Sequence, residues 1–355
     1  MGSGLPPFTC ALWPQTISVG VEWRLPLFCH IYWLQVYLQC KGKEFDILGL
    51  WVDDCYFTCT KGCLVQVKAE IAAKYQATDQ GEPQLLLGIK IDHDCSKRSI
   101  TLSQGEYVHK ILSHFGMVDC SPITTLVDPS IHLEPTSNTT CFGHLSTYHS
   151  TVGTLLYTAM GTRPDIAYAV QSLSQFSKDP STEHWTAVKQ VFCYLQGKQN
   201  LGIMYDTLDG EASVEVTGLS DANWANSPTS RKSISGNIFC LGGGVVSWIS
   251  KKQPTVTLLS MEAEYMSATL AAKHTLWLHN FFSFLGFPQN GPAYLYLDNK
   301  SAIDLAENSS QFHPWSKHID IQYHFIAEKV KSGAIKVMWC PTDSMTADIL
   351  TKPLP

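Results

Sequence analysis

Carboxylates recur in the last 150 residues at places from which a single metal site could collect them. Asp221 follows a short strand, read as Ser213 to Leu219, inside Ser220-Asp221-Ala222-Asn223-Trp224. Glu262 and Glu264 stand in the first turn of a long helix whose Met261, Tyr265, Ala268, Ala272 and Leu276 line one face, with Ser260 as its expected N-cap. Tyr294-Leu295-Tyr296-Leu297 reads as a buried strand that delivers Asp298, and Ala347-Asp348-Ile349-Leu350 reads as part of a terminal helix. Acids gathered in one place repel one another and prefer hard cations with oxygen ligands. Each also has a structural reading of its own: Glu264 could complement a helix dipole, and Asp298 or Asp348 could cap a helix. Asp53 and Asp54 are adjacent at the tip of an expected hairpin, which calls either for a divalent cation or for full exposure in a turn. Ser227 to Lys232, with Arg231 and Lys232, and the pair Lys251-Lys252 are the basic clusters placed to meet a phosphate backbone, with Lys317-His318 a further candidate near a metal site. Solvated charge and a surface histidine are the alternatives for these.

The elements that position these groups belong to an ordinary globular chain. Its 355 residues are 45% hydrophobic and 16% charged, which allows two or three domains and excludes disorder or coiled coil. Lys and Arg number 25 against 31 Asp and Glu, a net charge of −6, so binding of a polyanion by bulk charge is disfavoured and any nucleic-acid role needs a local site. Residues 206–355 carry 11 basic against 14 acidic side chains, −3, and two divalent cations on the clustered acids would turn this into +1.

Twelve cysteines are too sparse for a disulfide scaffold, and no secretory leader opens the sequence, so an intracellular, reducing setting is expected. Cys55, Cys59 and Cys63 lack the CxxC spacing of a zinc site and read as buried or neutral thiols. Between Met1 and Cys40 only Glu22 and Arg24 are charged, among three tryptophans and four prolines. Leu25 to Gln39 is shorter than the roughly 20 residues of a membrane span. Residues 1–44 are therefore left unassigned, as decayed or misjoined sequence or an orphan piece of a larger domain.

From Phe45 the pattern becomes regular. Phe45 to Val52 and Cys55 to Cys59 read as a hairpin. Ile166, Ala169, Val170, Leu173 and Phe176 follow Pro164 at helical spacing, and Trp185, Val188, Phe192 and Leu195 do so after Asp179-Pro180. These stripes are core. Val127 to Thr147, rich in Pro, Ser, Thr and Asn, reads as a linker. Beyond residue 205 the order is β-β-β-α-β-α, then helix, strand and helix, which predicts a mixed five-stranded sheet with flanking helices.

Trp51-Val52-Asp53-Asp54 resembles the Tyr-x-Asp-Asp box of reverse transcriptases of the Ty1/copia retrotransposon type, and the resemblance runs to the C-terminus. Leu87 to Ile91, Ile100 to Gln104 and Tyr107 to Met117 are similar to the end of the palm and the thumb. Val152 to Tyr157 and Thr162 to Ala167 are similar to the connection. Ser220 to Ala225, Glu262 to Tyr265, Asp298 to Ile303 and Ala347 to Lys352 resemble the ribonuclease H of this family. The expected fold is thus α/β (α+β): a truncated palm and thumb fragment (45–126), a linker (127–147), a helical connection (148–205) and a ribonuclease H-like domain (206–355).

The resemblance implies Asp221, Glu264, Asp298 and Asp348 as ligands of two Mg²⁺, with Mn²⁺ able to substitute, and an RNA/DNA hybrid as substrate. In the family the acid directly before the aromatic residue is the ligand, which favours Glu264 over Glu262. Many cellular ribonucleases H carry a loop histidine shortly before the last Asp, and Pro341 to Thr346 contains none. Asp53 and Asp54 are expected to be a vestigial polymerase site, because the family's earlier Asp has no counterpart among Glu22, Glu44 and Asp46. The chain alone is not expected to polymerise DNA. Other polyprotein fragments are possible partners, a membrane is not, and cytoplasm or nucleus is the expected setting. The competing reading is an inactive retroelement remnant that binds nucleic acid or protein at most.

Overall fold

The computed structural model describes residues 24–29, 34–41, 44–51, 54–59, 64–75, 77–126, 133–134, 142–206, 215–227, 229–287, 289, 291–307 and 320–353. The chain divides into two compact units, Met1–Pro83 with Phe282–Pro288, and Gln84–Phe281 with Gln289–Pro355.

In the first unit, β1 (Arg24–Cys29), β2 (Leu34–Lys41), β3 (Glu44–Trp51) and β4 (Asp54–Cys59) form an antiparallel sheet in chain order, followed by α1 (Leu64–Tyr75). The expected hairpin is β3–β4, in register with Trp51 opposite Asp54, and Leu48 is its buried anchor. The strands β1 and β2 fall in the segment left unassigned by composition. Pro26 sits where the β1–β2 register shifts, on an edge strand, which is where a sheet tolerates a residue lacking an N–H. Cys55 is exposed rather than buried, and partial desolvation pushes its thiol up, which keeps it neutral, while the Cys59 and Cys63 side chains lie outside the described residues.

The second unit opens with β5 (Leu85–Leu86), β6 (Ile89–Asp94) and β7 (Ser99–Ser103), then α2 (Gly105–His114), α3 (Leu145–Gly161), a 3₁₀ turn Pro164–Ile166 running into α4 (Ala167–Ser174), and α5 (Thr182–Gly197). The chain then returns as β8 (Gly202–Tyr205) to complete an antiparallel sheet β5-β6-β7-β8. The helical stripes read from sequence are core: Ile166, Ala169, Val170 and Leu173 pack with Val188, Phe192 and Leu195. Ser181 caps α5 by accepting the His184 N–H at 3.3 Å and donating its own N–H to His184 Nδ1 at 2.9 Å. α3 already begins at Leu145, so the last three residues of the expected linker are helical.

Thr162-Arg163-Pro164-Asp165 fixes these helices to one another. Arg163 is 1% exposed, and its guanidinium forks onto Asp165, with Nε to Oδ1 at 2.9 Å and Nη2 to Oδ2 at 2.7 Å. Nη1 donates to the Lys198 carbonyl at 2.8 Å, and Tyr194 Oη donates to Asp165 at 3.0 Å. A buried charge is tolerated when it is paired and hydrogen-bonded in this way.

The second sheet of this unit contains β9 (Thr217–Asn223), β10 (Ile234–Leu241), β11 (Gly244–Lys252), then, after α6 (Ser260–Phe284), β12 (Ala293–Leu297) and, after α7 (Lys300–Glu307) and α8 (Asp320–Lys331), β13 (Ile335–Trp339). Its order is β11-β10-β9-β12-β13, antiparallel through β9 to β11 and parallel from β9 to β13. This is the mixed five-stranded sheet with flanking helices that the sequence predicts.

Two local expectations fail. The segment around Asp348 is a 3₁₀ turn, Thr346–Leu350, rather than a helix, with Asp348 N–H donating three residues back to Met345 and Thr351 N–H to Asp348. The turn runs between Met345 and Thr351, too few residues to propagate an α-helix. Ser260 is the first helical residue rather than the cap, since the Glu262 carboxylate takes the Leu258 N–H at 2.8 Å and the Leu259 N–H at 3.4 Å.

The three-helix segment packs on this sheet. Trp248 Nε1 donates to the Ala159 carbonyl at 2.9 Å, and Tyr205 Oη donates to the Val245 carbonyl at 2.7 Å. Ala167 lies against the cluster of Ile238, Met345, Ala347 and Leu350. Among the described residues no helix is long and apolar enough to cross a membrane.

Candidate metal centre

The parallel pairing of β9 with β12 builds the site. Leu297 lies beside Ser220, so Asp298, one residue beyond β12, emerges next to Asp221. Glu264 enters from α6, whose Ser267 Oγ donates to the Asp221 carbonyl at 2.8 Å and accepts from Ser220 Oγ at 3.0 Å. Gly218 lets the helix approach: a Cβ there would meet Thr275 Oγ1 at 2.6 Å. The result brings carboxylate oxygens of Asp221, Glu264 and Asp298 within 4.8 Å of one another.

Asp348 approaches from the 3₁₀ turn and stands beside Asp221, outside the 4.8 Å group of the other three. Lys352 Nζ lies 2.6 Å from its Oδ2, while its Oδ1 is buried with no hydrogen-bond partner. Gly236 makes that approach possible. It pairs with Asp221 across β9–β10, and a Cβ on it would meet Thr351 Cγ2 at 2.5 Å and the Ala347 carbonyl at 2.8 Å. Thr351 donates its hydroxyl to Asp221 Oδ2, and Thr342 donates to Asp298 Oδ2 at 3.1 Å. Gly236, Ser267, Thr342 and Thr351 were not picked out as site residues by the sequence. The one signal available was a glycine inside a strand pattern, at Gly236.

The electrostatics of the cluster disfavour ionised carboxylates at Asp221 and Glu264. Burial raises the Glu264 carboxyl to about 9, with Asp221, Asp298 and Asp348 adding to the rise and the Ala222 N–H opposing it. Burial raises Asp221 to about 6, opposed by the Thr351 hydroxyl and reinforced by Asp348 and Asp298. At an effective dielectric of 20, two ionised carboxylates at this separation repel by about 3 kcal/mol. The donor set fits hard divalent cations: buried and half-buried carboxylate oxygens, one of them unpartnered at Asp348, converging with no histidine or thiolate in the cluster among the described residues. Glu262 is spent on the Leu258 and Leu259 amides, which leaves Glu264 as the helix's contribution.

The remaining candidates lie elsewhere. Asp54 is exposed, and Asp53 lies outside the described residues, as do Lys317 and His318. Arg231 and Lys251 are exposed, whereas Lys232 and Lys252 are half-buried. The loop carrying Arg231 and Lys232 is closed by Ser227 N–H to the Lys232 carbonyl at 3.1 Å and Arg231 N–H to the Ser227 carbonyl at 2.8 Å.

Comparison with known proteins gives four matches. The family described as reverse transcriptase (RNA-dependent DNA polymerase) matches residues 13–129, a match that begins inside the segment that composition left unassigned. The chain is 37% identical over 319 residues, 88% of its length, to the retrovirus-related Pol polyprotein from transposon TNT 1-94 of Nicotiana tabacum, and covers 24% of that protein. It is also 31% identical over 231 residues to an uncharacterized mitochondrial protein of Arabidopsis thaliana, covering 65% of this chain and 93% of that one. The N-terminal ribonuclease H domain of a Mycobacterium tuberculosis protein is similar over 39% of this chain and 91% of that one, at 17% identity and a TM-score of 0.30. At that score the superposition carries no argument. The architecture rests on the strand order. The chain spans about a quarter of the length of the tobacco polyprotein.

Proposed function

The chain belongs to the Pol polyproteins of Ty1/copia-type retrotransposons, and on that premise we propose that residues 206–355 are a ribonuclease H that cuts the RNA strand of RNA/DNA hybrids. The observation that carries this reading is the convergence of Asp221 of β9 and Asp298 just beyond β12, two adjacent parallel strands, with Glu264 of α6, and with the unpartnered oxygen of Asp348 beside them.

Asp221, Glu264, Asp298 and Asp348 would hold two Mg²⁺, or Mn²⁺ in their place. Such a pair supplies an activated water for in-line attack at phosphorus and charge stabilisation on the leaving 3′ oxygen. The chain's own residues set the conditions for this. Thr351 and Thr342 orient the Asp221 and Asp298 carboxylates, and Ser267 fixes the strand that carries Asp221 to the helix that carries Glu264. Lys352 neutralises Asp348 in the metal-free protein. Cleavage leaves a 5′ phosphate and a 3′ hydroxyl. Selection of the RNA strand requires reading its 2′ hydroxyls across the wide minor groove of the hybrid.

The test uses the full chain with end-labelled RNA/DNA hybrid. Expected are cuts in the RNA strand with Mg²⁺ or Mn²⁺, none in single-stranded RNA, and loss of cutting to background in Asp298→Asn. Uncut hybrid under both metals, or equal cutting by Asp298→Asn, refutes the enzyme and leaves an inactive remnant.

A further inference from the structure

α4, α5 and the five-stranded sheet enclose a cavity of about 540 Å³, lined among others by Tyr168, Gln175, Glu183, Asn226, Ser227 and Lys252. Two of its lining residues, Ile234 and Lys252, stand on the sheet face that also carries Asp221. Lys252 of β11 pairs with Ile234, Ile234 pairs with Asn223, and Asp221 lies two residues along β9 on the same face. Two strand spacings and two residues of rise put the Lys252 and Asp221 Cα atoms about 12 Å apart. Lys252 is therefore outside the cluster and inside the footprint of a duplex bound there.

Lys252 is a cation without a counter-charge. Its Nζ donates to Gln175 Oε1 at 2.9 Å and to Ser227 Oγ at 3.1 Å, and it forms no ion pair with any of the described residues. An ammonium has three protons, so one donor is left over. Burial and the neighbouring Lys232 both depress its ammonium, and among the described residues Glu183 is the carboxylate that lines the cavity, on α5. Two neutral polar side chains hold the head in place, one from the nuclease sheet's loop and one from just beyond α4. A half-buried, pre-oriented and uncompensated cation at a cavity mouth suits a phosphodiester, which brings one negative charge and several acceptors.

We propose that Lys252 holds a backbone phosphate of the nucleic-acid substrate at this cavity and that Gln175 makes the connection one wall of the nuclease's binding surface. The inference rests on the ribonuclease H reading above, since the duplex must be seated on the cluster for its backbone to reach Lys252.

The experiment is equilibrium binding of a fluorescent RNA/DNA hybrid to the full chain in EDTA, at salt concentrations from 50 to 200 mM. A lost phosphate contact reduces the slope of log affinity against log salt by about 0.9. Lys252→Gln should therefore lose about 3.5-fold less affinity than the wild type across that range, whereas Lys252→Arg keeps the wild-type slope. Gln175→Ala should bind more weakly at every salt with the slope unchanged, because a neutral side chain releases no counterion. A wild-type slope in Lys252→Gln overturns the phosphate contact, and wild-type affinity in Gln175→Ala overturns the role of the connection. A wild-type chain that neither binds the hybrid in this assay nor cuts it with Mg²⁺ or Mn²⁺ overturns the ribonuclease H reading itself, a result distinct from either of these.

Discussion

Replacing Glu264 by Gln should stabilise the metal-free protein while removing its response to Mg²⁺. In the folded chain burial raises the Glu264 carboxyl from 4.5 to about 9, so folding takes up a proton at any pH between the two values. A group that binds more protons when folded subtracts stability as pH rises above its unfolded value. The loss begins near pH 4.5, grows through neutrality and levels off near pH 9. Each pH unit is worth about 1.4 kcal/mol, so Glu264 costs about 3 kcal/mol at pH 7 and about 6 kcal/mol at pH 9. Glutamine has the same shape, keeps an acceptor for the Ala222 N–H and does not titrate. The assay is urea unfolding in EDTA from pH 5 to 9, repeated with Mg²⁺. The variant's advantage should be near zero at pH 5 and widen with pH, and Mg²⁺ should shift the midpoint of the wild type far more than that of the variant. An advantage that does not change with pH, or equal stabilisation of both proteins by Mg²⁺, refutes the reasoning.

Two further outcomes follow from packing. Arg163→Ala strips the half-buried Asp165 carboxylate of its fork and leaves a hole where the buried guanidinium stood, and should cost about 3 kcal/mol in denaturant unfolding, without a direct effect on the metal cluster. Gly236→Ala forces a methyl against Thr351 and the Ala347 carbonyl, so it should cost about 1–3 kcal/mol and reduce hybrid cleavage at saturating Mg²⁺, as the turn carrying Asp348 is pushed off the sheet.

How far the sequence can be read depends on whether the information is local. Asp221, Asp298 and Glu264 were legible because a strand end or a helix start announces where its acid will emerge. The helical stripes after Pro164 and after Asp179-Pro180 were legible for the same reason, as 3.6-residue periodicity is a local signal. Asp348 was assigned the wrong element because five residues do not distinguish i→i+3 from i→i+4 bonding. The strand β2 was missed although Gln35, Tyr37, Gln39 and Lys41 alternate with Leu34, Val36, Leu38 and Cys40, a signal that the near absence of charge hid, and β1 because Pro26 inside a short run argues against a strand. Gly236, Thr351 and the Lys252–Gln175 contact join residues far apart in the chain, so no window of sequence contains them. The cluster's unusual proton affinity is likewise a property of assembly, since burial is its first cause.

The hydrogen bond from the Trp248 indole to the Ala159 carbonyl, with Ala167 seated against Ile238 and Leu350, bears on where the polypeptide can be cut. A recombinant fragment starting at residue 206 would keep all four candidate ligands yet lay bare the sheet face that α3 and α4 cover, leaving an indole N–H without its acceptor. Such a fragment invites aggregation, and inactivity in it would say nothing about the nuclease. The smallest piece that preserves that face starts before α3, so the helices and the sheet are best regarded as one unit of inheritance, constrained to change sequence together.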